Sequence, residues 1–301
     1  MKTWKEYYLE CKDIYQKITK QDTTSTNIYD LGIMVDPFPT NQTYFDQIFS
    51  IQKSLSKIYK NKQNYHIRAG GIALCLNDVF IFEEEIKTIL ENYLVPYLEK
   101  DIFGCYVQCQ NVKIYKTTSD SLIEQLSWLW HFDNNPKEQI KVMIYLNDVD
   151  DNGPFTYLSK DNKAIKINPT KQDYKNWKPG PSNLFNALGI KWKGTRIPRH
   201  FIPKFTRQSC IEKNIKGPTG TTIFFDNNII HKGTIPFGCN QNSDNFRYAM
   251  TLQFQPINKK LQPIFSKENT GNGWNYRVYD IDPEAPINHK ETGIPPSQPN
   301  L

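Results

Sequence analysis

Apolar and polar positions along the chain follow two different rhythms, and the change falls near residue 103. Before it, apolar residues recur every three to four positions. Residues 2–19 carry Trp4, Tyr7, Tyr8, Ile14, Tyr15 and Ile18 at close to a 3.6-residue period, which predicts an amphipathic helix. Residues 43–60 repeat the pattern with Phe45, Ile48, Phe49, Ile51, Leu55 and Ile58. The stretch FEEEIKTILENYLVPYLEK, residues 82–100, predicts a third helix. Its acidic first turn suits the positive end of the helix dipole, and Pro96 is expected to kink or interrupt it. Between the second and third helices, HIRAGGIALCL reads as a short strand or as a loop with a glycine bend.

After residue 103, short runs of β-branched and aromatic residues are separated by Asn, Asp, Gly and Pro. They are CYVQCQNVKIYK (105–116), IKVMIYLND (140–148), GPFTYLS (153–159), TTIFFD (221–226), NIIHKGTI (228–235) and FRYAMTLQFQP (246–256). Such runs predict an all-β sandwich or barrel. The whole is then mainly β with helical additions, in one domain. A mostly helical part spans 1–103 and a β core 104–262, with an extended tail at 263–301. Residues 160–218 are rich in Lys, Pro, Trp and Asn and lack periodicity, so they read as a flap or insertion in that core. The Pro-rich end of the tail is expected to lie extended over the surface or to be disordered.

Composition removes several function classes. With 301 residues, 38% hydrophobic and 13% aromatic, there is ample material for a core. No run of apolar residues is long enough to span a membrane. The charged start MKTWKEYYLECKDIYQK lacks the apolar segment of a secretory signal, so a cytoplasmic location is expected. Cys11, Cys75, Cys105, Cys109, Cys210 and Cys239 are scattered without a CxxC pair, which favours reduced thiols and disfavours a structural zinc site. The net charge of +6 comes from lysines spread along the chain. A nucleic-acid partner is therefore not expected, since that footprint gathers cations on one face. The charge is compatible with an anionic small-molecule substrate.

The stretch WLWHFDNNP raises the chemical question. Side chains two apart on a strand share a face, so His131 and Asp133 can chelate one divalent cation. The same residues also describe a strand end running into an Asn-Pro turn. A third ligand would decide, and among five histidines His231 has the most telling setting, after a strand-turn-strand pattern and before Lys-Gly. Two histidines and one carboxylate with open positions make the facial triad of non-haem Fe(II) oxygenases. His66, His200 and His289 are expected to be structural. Arg247 opens an apolar strand and shares a face with Ala249 and Thr251; a guanidinium facing a barrel interior needs an anionic partner, ideally a carboxylate.

In order along the chain, HFD (131–133), KVMIYLNDVDDNGP (141–154), GTTIFFDNNIIHKG (220–233) and FRYAMTLQF (246–254) resemble the phytanoyl-CoA dioxygenase-like branch of the Fe(II)/2-oxoglutarate-dependent oxygenases. The resemblance covers about residues 104–256 and implies a double-stranded β-helix, or jelly roll. It implies that His131, Asp133 and His231 hold Fe(II), and that Arg247 pairs the distal carboxylate of 2-oxoglutarate with Thr234 as a second donor. Gln110 and Lys116 match a Gln and a Lys that the family often carries before its His-x-Asp. O2 would be the co-substrate, with succinate and CO2 released.

Asp133 fills a position that is a small residue in related halogenases, so hydroxylation, desaturation or cyclisation is the expected outcome. After Asn-Gly-Pro the family commonly runs Pro-Gly-Ser-His, whereas this chain reads FTYLSKDNK, which points away from an acyl-CoA substrate. Trp130, beside the first ligand, is expected to form a wall of the site with Trp128. Arg196 and Arg199 in the insertion are candidates to hold an anionic group of the substrate. Two alternatives remain at this stage: a jelly-roll protein that binds its ligand without turnover, and an oxygenase acting on a macromolecule.

Overall fold

The computed structural model describes residues 3–20, 28–35, 41–68, 72–118, 126–133, 135–167, 197, 209–236, 246–261, 263–269 and 274–279. Two of the expected helices begin with side-chain caps. In α1 (Trp4–Thr19), the Thr3 hydroxyl accepts from the Glu6 amide while Glu6 accepts from the Thr3 amide, satisfying two donors that the first turn leaves open. In α3 (Gln42–Ile58), Asn41 accepts from the Tyr44 amide. A short α2 (Ile28–Leu31) lies between them.

The third helix does not stop at Pro96. It starts as α4 (Glu83–Ile89) and continues to Phe103 through wide π-type turns at Leu90–Leu94 and Leu98–Phe103, flanking a short α piece at Val95–Tyr97. Proline has no N–H to give, and a locally wider winding lets the helix pass it instead of ending.

Two antiparallel sheets follow. The larger runs β1 (Ile33–Val35), β9 (Thr222–Asp226), β5 (Ile140–Tyr145), β11 (Arg247–Pro256), β4 (Val107–Thr117), β13 (Trp274–Tyr279) and β12 (Pro263–Asn269). A hairpin of β2 (Tyr65–Arg68) and β3 (Ala73–Leu76) joins it along β4. The smaller sheet joins β10 (His231–Gly233), β6 (Phe155–Lys160) and β7 (Lys163–Ala164), with β8 (Ile211–Ile215) also on β6. Facing sheets with crossed connections make the jelly roll. The segment HIRAGGIALCL is thus partly a hairpin, and the stretch after 262 adds two strands to the large sheet.

Strand parity divides the large sheet into two surfaces. Val112, Ile114, Val142, Ile144, Phe224, Met250, Leu252 and Phe254 face the helices and pack with Trp4, Tyr7, Ile48, Ile51, Ile86 and Ile89 in one continuous core. Met143, Tyr145, Ile223, Phe225 and Ala249 face the other way and pack with Phe155 and Ile215 of the small sheet. The second surface, between the two sheets, is the interior in which the candidate site lies. Insertion residues 168–196, 198–208 and the tail beyond 279 lie outside the described residues. Among those described, no helix is long and apolar enough to cross a membrane.

Phe224 tests the division. It is fully buried on the helix side of β9, 5.3 Å from the Tyr97 ring. Phe224→Ala should lower unfolding free energy by about 3–5 kcal/mol, read from urea denaturation. A cost under about 1 kcal/mol would mean that the helices are not packed on this face.

Candidate metal centre

The centre is built on one backbone pairing. His131 and His231 form an antiparallel bridge, each amide donating to the other's carbonyl at 2.9 Å. Residues opposed in this way share a face, and the two imidazoles meet with centroids 4.2 Å apart. Asp133, two residues on, returns to that face, its amide tied to the Asn227 carbonyl at 2.8 Å. Its Oδ1 lies 3.8 Å from Nε2 of His131 and its Oδ2 lies 3.8 Å from Nε2 of His231. One ligand atom from each residue falls within 4.8 Å of the others. The sequence-predicted triad is therefore assembled from segments a hundred residues apart.

Both histidines are buried, and their tautomers follow from their partners. Nδ1 of His131 meets the Leu129 carbonyl at 2.8 Å, and Nδ1 of His231 meets the Ile229 carbonyl at 2.9 Å. A carbonyl can only accept, so each Nδ1 carries the proton and each Nε2 presents a lone pair to the shared space. Phe155 stacks on His231 with centroids 5.3 Å apart, and Phe225 meets it edge-on at 5.3 Å. These rings fix the imidazole and keep one side of it dry.

Lys141 is a component that the sequence reading missed. It lies on the inner face of β5, and its Nζ donates to Asp133 Oδ2 at 2.5 Å. Burial pushes the Asp133 carboxyl up, but the Lys141 ammonium and the two imidazoles outweigh it and hold the group well below the usual carboxylate range. The carboxylate is thus ionised and ready to bind a cation. The signal was present: a lysine inside the apolar run IKVMIY poses the same question as Arg247 does in FRYAMTLQF.

Arg247 is 1% exposed on the inner face at the far end of β11. Its guanidinium donates to the Gly153 carbonyl and, at 3.3 Å, to the Thr117 hydroxyl. Its Cζ lies 5.8 Å and 5.9 Å from the ring centres of Tyr115 and Tyr145. Gly153 belongs to the Asn-Gly-Pro turn and has φ +97°, a conformation that side chains disfavour; a Cβ there would also come 2.8 Å from the Thr234 carbonyl. The turn therefore requires glycine to present its carbonyl to the arginine. Among the described residues no carboxylate pairs with Arg247, and its Nε has no hydrogen-bond partner.

Alternation separates other expected residues from the centre. Lys116 stands opposite Tyr248, and both face away from the triad; its Nζ lies 4.2 Å from the Phe246 ring centre. The inner face of β4 instead carries Lys113, Tyr115 and Thr117. Thr234 bonds Thr156 at 2.6 Å, and Thr156 stands on the face of β6 opposite to Phe155 and Tyr157. Gln110 is the inserted residue of a bulge, since Gln253 faces Asn111 and Phe254 faces Cys109, so it does not continue the row of Val112 and Ile114.

The indole wall is also corrected in part. Trp130 flanks His131 in sequence and so points to the other face, where it packs with Phe132, Leu158, Ile197 and Ile230 under the Lys232 ammonium. Trp128 remains close to the interior: it lies beside Tyr115 and so near Gly233 that a Cβ there would come 2.9 Å from its Nε1. Arg196, Arg199, His200 and His289 lie outside the described residues. Ile197, between the two arginines, donates its amide to the Trp130 carbonyl at 2.7 Å. His66 bonds Asn77 at 2.8 Å, as a structural histidine would.

No family model matches the chain, and no curated protein matches its sequence. Among solved structures, the epimerase SnoN in complex with Fe3+, alpha ketoglutarate and nogalamycin RO is similar, with a TM-score of 0.50 and 8% identity over 76% of this chain and 81% of that one. A second structure of SnoN, a non-heme alpha ketoglutarate dependent epimerase from nogalamycin biosynthesis, gives 0.50 and 11% identity over 76% and 80%. EctD from S. alaskensis with bound Fe gives 0.49 and 12% identity over 80% of each chain. The two SnoN structures establish a shared fold.

The Asp133–Lys141 pair has a pH signature. A depressed carboxyl pKa contributes stability that is present above the ordinary carboxylate value, about 4, and is lost as pH falls below it. Metal-free protein should therefore lose urea resistance more steeply below about pH 4 than Asp133→Asn does. Parallel profiles would show that the pair is not held in solution.

Proposed function

We propose that the chain is a non-haem Fe(II)- and 2-oxoglutarate-dependent dioxygenase that oxidises a C–H bond of a small, polar or anionic metabolite, with release of succinate and CO2. One observation carries the reading: a two-histidine, one-carboxylate cluster and a fully buried arginine with no carboxylate partner among the described residues occupy the interior of the same jelly roll. The donor set fits the metal. Two neutral imidazoles and an ionised carboxylate are the facial triad that leaves positions open on non-haem iron. The buried guanidinium fits the cofactor's distal carboxylate, because an unpaired cation in that position is costly until an anion arrives.

In this reading His131, Asp133 and His231 hold the iron, and Arg247 fixes the end of 2-oxoglutarate remote from it. Iron with 2-oxoglutarate supplies O2 activation coupled to oxidative decarboxylation. The chain itself supplies aim and dryness. Leu129 and Ile229 carbonyls hold the imidazoles in the ligating tautomer, Lys141 holds the carboxylate, and Phe155 and Phe225 exclude water from one side of His231. The carboxylate of Asp133 occupies the place a halide would need, so oxidation is favoured over halogenation.

Two variants divide the roles. Asp133→Ala should abolish oxygen-dependent succinate formation and weaken Fe(II) binding at least about tenfold, with cooperative unfolding retained. Arg247→Ala should raise the 2-oxoglutarate requirement by about 2–5 kcal/mol of lost binding while sparing Fe(II) affinity. Full activity of Arg247→Ala at low 2-oxoglutarate would refute the cofactor assignment, and absence of succinate from wild type with any substrate set would favour a non-catalytic ligand-binding jelly roll.

A further inference from the structure

The inner face of β4 and the β2–β3 hairpin carries more positive charge than the proposed chemistry uses. Lys113 lies opposite Thr251, which lies opposite Met143, so it shares the interior surface with the apolar residues packed between the sheets. Its side chain is half-buried and, among the described residues, its ammonium makes no hydrogen bond or ion pair. Arg68 stands on the same surface, in the row Arg68, Ala73, Thr117 and Arg247 across β2, β3, β4 and β11. The charged groups felt by Lys113 are Arg68, Lys141, Cys75 and Asp133. The single carboxylate among them, Asp133, is already committed to Lys141 and the imidazoles.

Of the three cations in this corner, Lys141 has Asp133, whereas Lys113 and Arg68 have no carboxylate partner among the described residues. Burial, and then Arg68 and Lys141, pull the Lys113 ammonium down to about 8. A fold gains nothing from that arrangement by itself: burial and mutual repulsion both oppose it. An anion placed among the three would reverse both effects. It would satisfy Lys113, screen Arg68 from Lys141, and sit beside the metal cluster, since Lys141 touches Asp133 directly.

We infer that Lys113 and Arg68 form an anion subsite at the β2–β3–β4 side of the barrel, which seats a carboxylate or phosphate group of the primary substrate next to the metal centre. The inference rests on the oxygenase reading for the identity of the ligand as substrate. It is separate from the seat of 2-oxoglutarate, whose distal carboxylate goes to Arg247: that residue stands three strands from Arg68 along their shared row, and its neighbour Thr117 is four residues from Lys113 on β4. Lys116, a cofactor-side candidate by resemblance, faces the helices; the cation on the inner face of β4 is Lys113, three residues earlier.

The test titrates two probes, inorganic phosphate and propionate, into protein loaded anaerobically with Fe(II) and 2-oxoglutarate, and follows heat. Loading is measured first. No 2-oxoglutarate isotherm in wild type would sink the oxygenase reading itself. Given loading, wild type should bind at least one probe saturably, and the tighter probe names the anion as phosphate or carboxylate. Lys113→Met should weaken that probe at least about tenfold, the loss of one charge-assisted contact, and Lys113→Arg should restore it. Lys116→Met should bind as wild type does.

A change in thermal midpoint separates binding from folding. Lys113→Met should melt at or above the wild-type temperature, because it removes a disfavoured charge. Equal probe binding by wild type and Lys113→Met, no saturable binding of either probe, or a loss confined to 2-oxoglutarate would each overturn the subsite.

Discussion

Everything in the candidate centre depends on one pair of backbone hydrogen bonds, those exchanged by His131 and His231. An antiparallel bridge does three things at once. It sets two residues from distant segments directly opposite, it puts their side chains on one face, and it fixes their spacing near that of two ligands on one cation. The third ligand then needs only the alternation of a strand, which returns Asp133 to the same side. The candidate metal site is thus a property of register. A slip of one residue in the 131–133 segment would send His131 and Asp133 outward and bring Trp130 or Phe132 in, exchanging candidate ligands for apolar rings. The cluster of Trp130 and Phe132 with Leu158 and Ile230 resists that slip, since each gains from burial only in the present register.

The interior is a conflict between packing and charge. Met143, Tyr145, Phe155, Ile223 and Phe225 make it apolar, which is what strengthens any electrostatic contact formed there. Into this space the chain places Arg247, Lys113 and Lys141 but, among the described residues, only Asp133 as the nearby carboxylate. Such an excess is unfavourable in the empty state and favourable once anions bind, so the stability forgone in packing becomes affinity. The helices on the other face supply the compensation: their core with Phe224, Met250 and Leu252 is one continuous apolar cluster.

How much of this was legible in the sequence follows from which interactions are local. Helices and strands announced themselves by period, and the long runs 105–116, 140–148 and 246–256 coincide with β4, β5 and β11. His-x-Asp and the distal histidine were visible as a set because strand parity and chain order are local properties. The misplaced residues all failed for one reason. Parity states which residues share a face, but not which face is inside. Lys116 does share its face with Val112 and Ile114, and that face meets the helices. The bulge at Gln110 breaks the row where the sequence shows no glycine or proline to mark it. Trp130 was read by proximity to His131, though adjacency along a strand guarantees opposite faces. Pro96 is expected to kink or interrupt its helix; the winding does change on both sides of it, but the helical core held by Leu90, Leu94, Leu98 and Ile102 outweighs one missing donor and carries the helix on to Phe103.

Lys141 shows why charge and register have to be read together. A carboxylate offers two oxygens, and Asp133 turns Oδ1 toward His131 while Lys141 grips Oδ2. The ammonium therefore does more than neutralise. It fixes the plane of the carboxylate and leaves one oxygen for a cation, as second partners of metal ligands commonly do. Lys141 sits opposite Phe225, whose ring meets His231 edge-on, so the same row of the sheet that supports one ligand also orients another. The three ligands are held by backbone carbonyls, aromatic rings and an ammonium contributed by both facing sheets, and the geometry of the centre is set before any metal arrives.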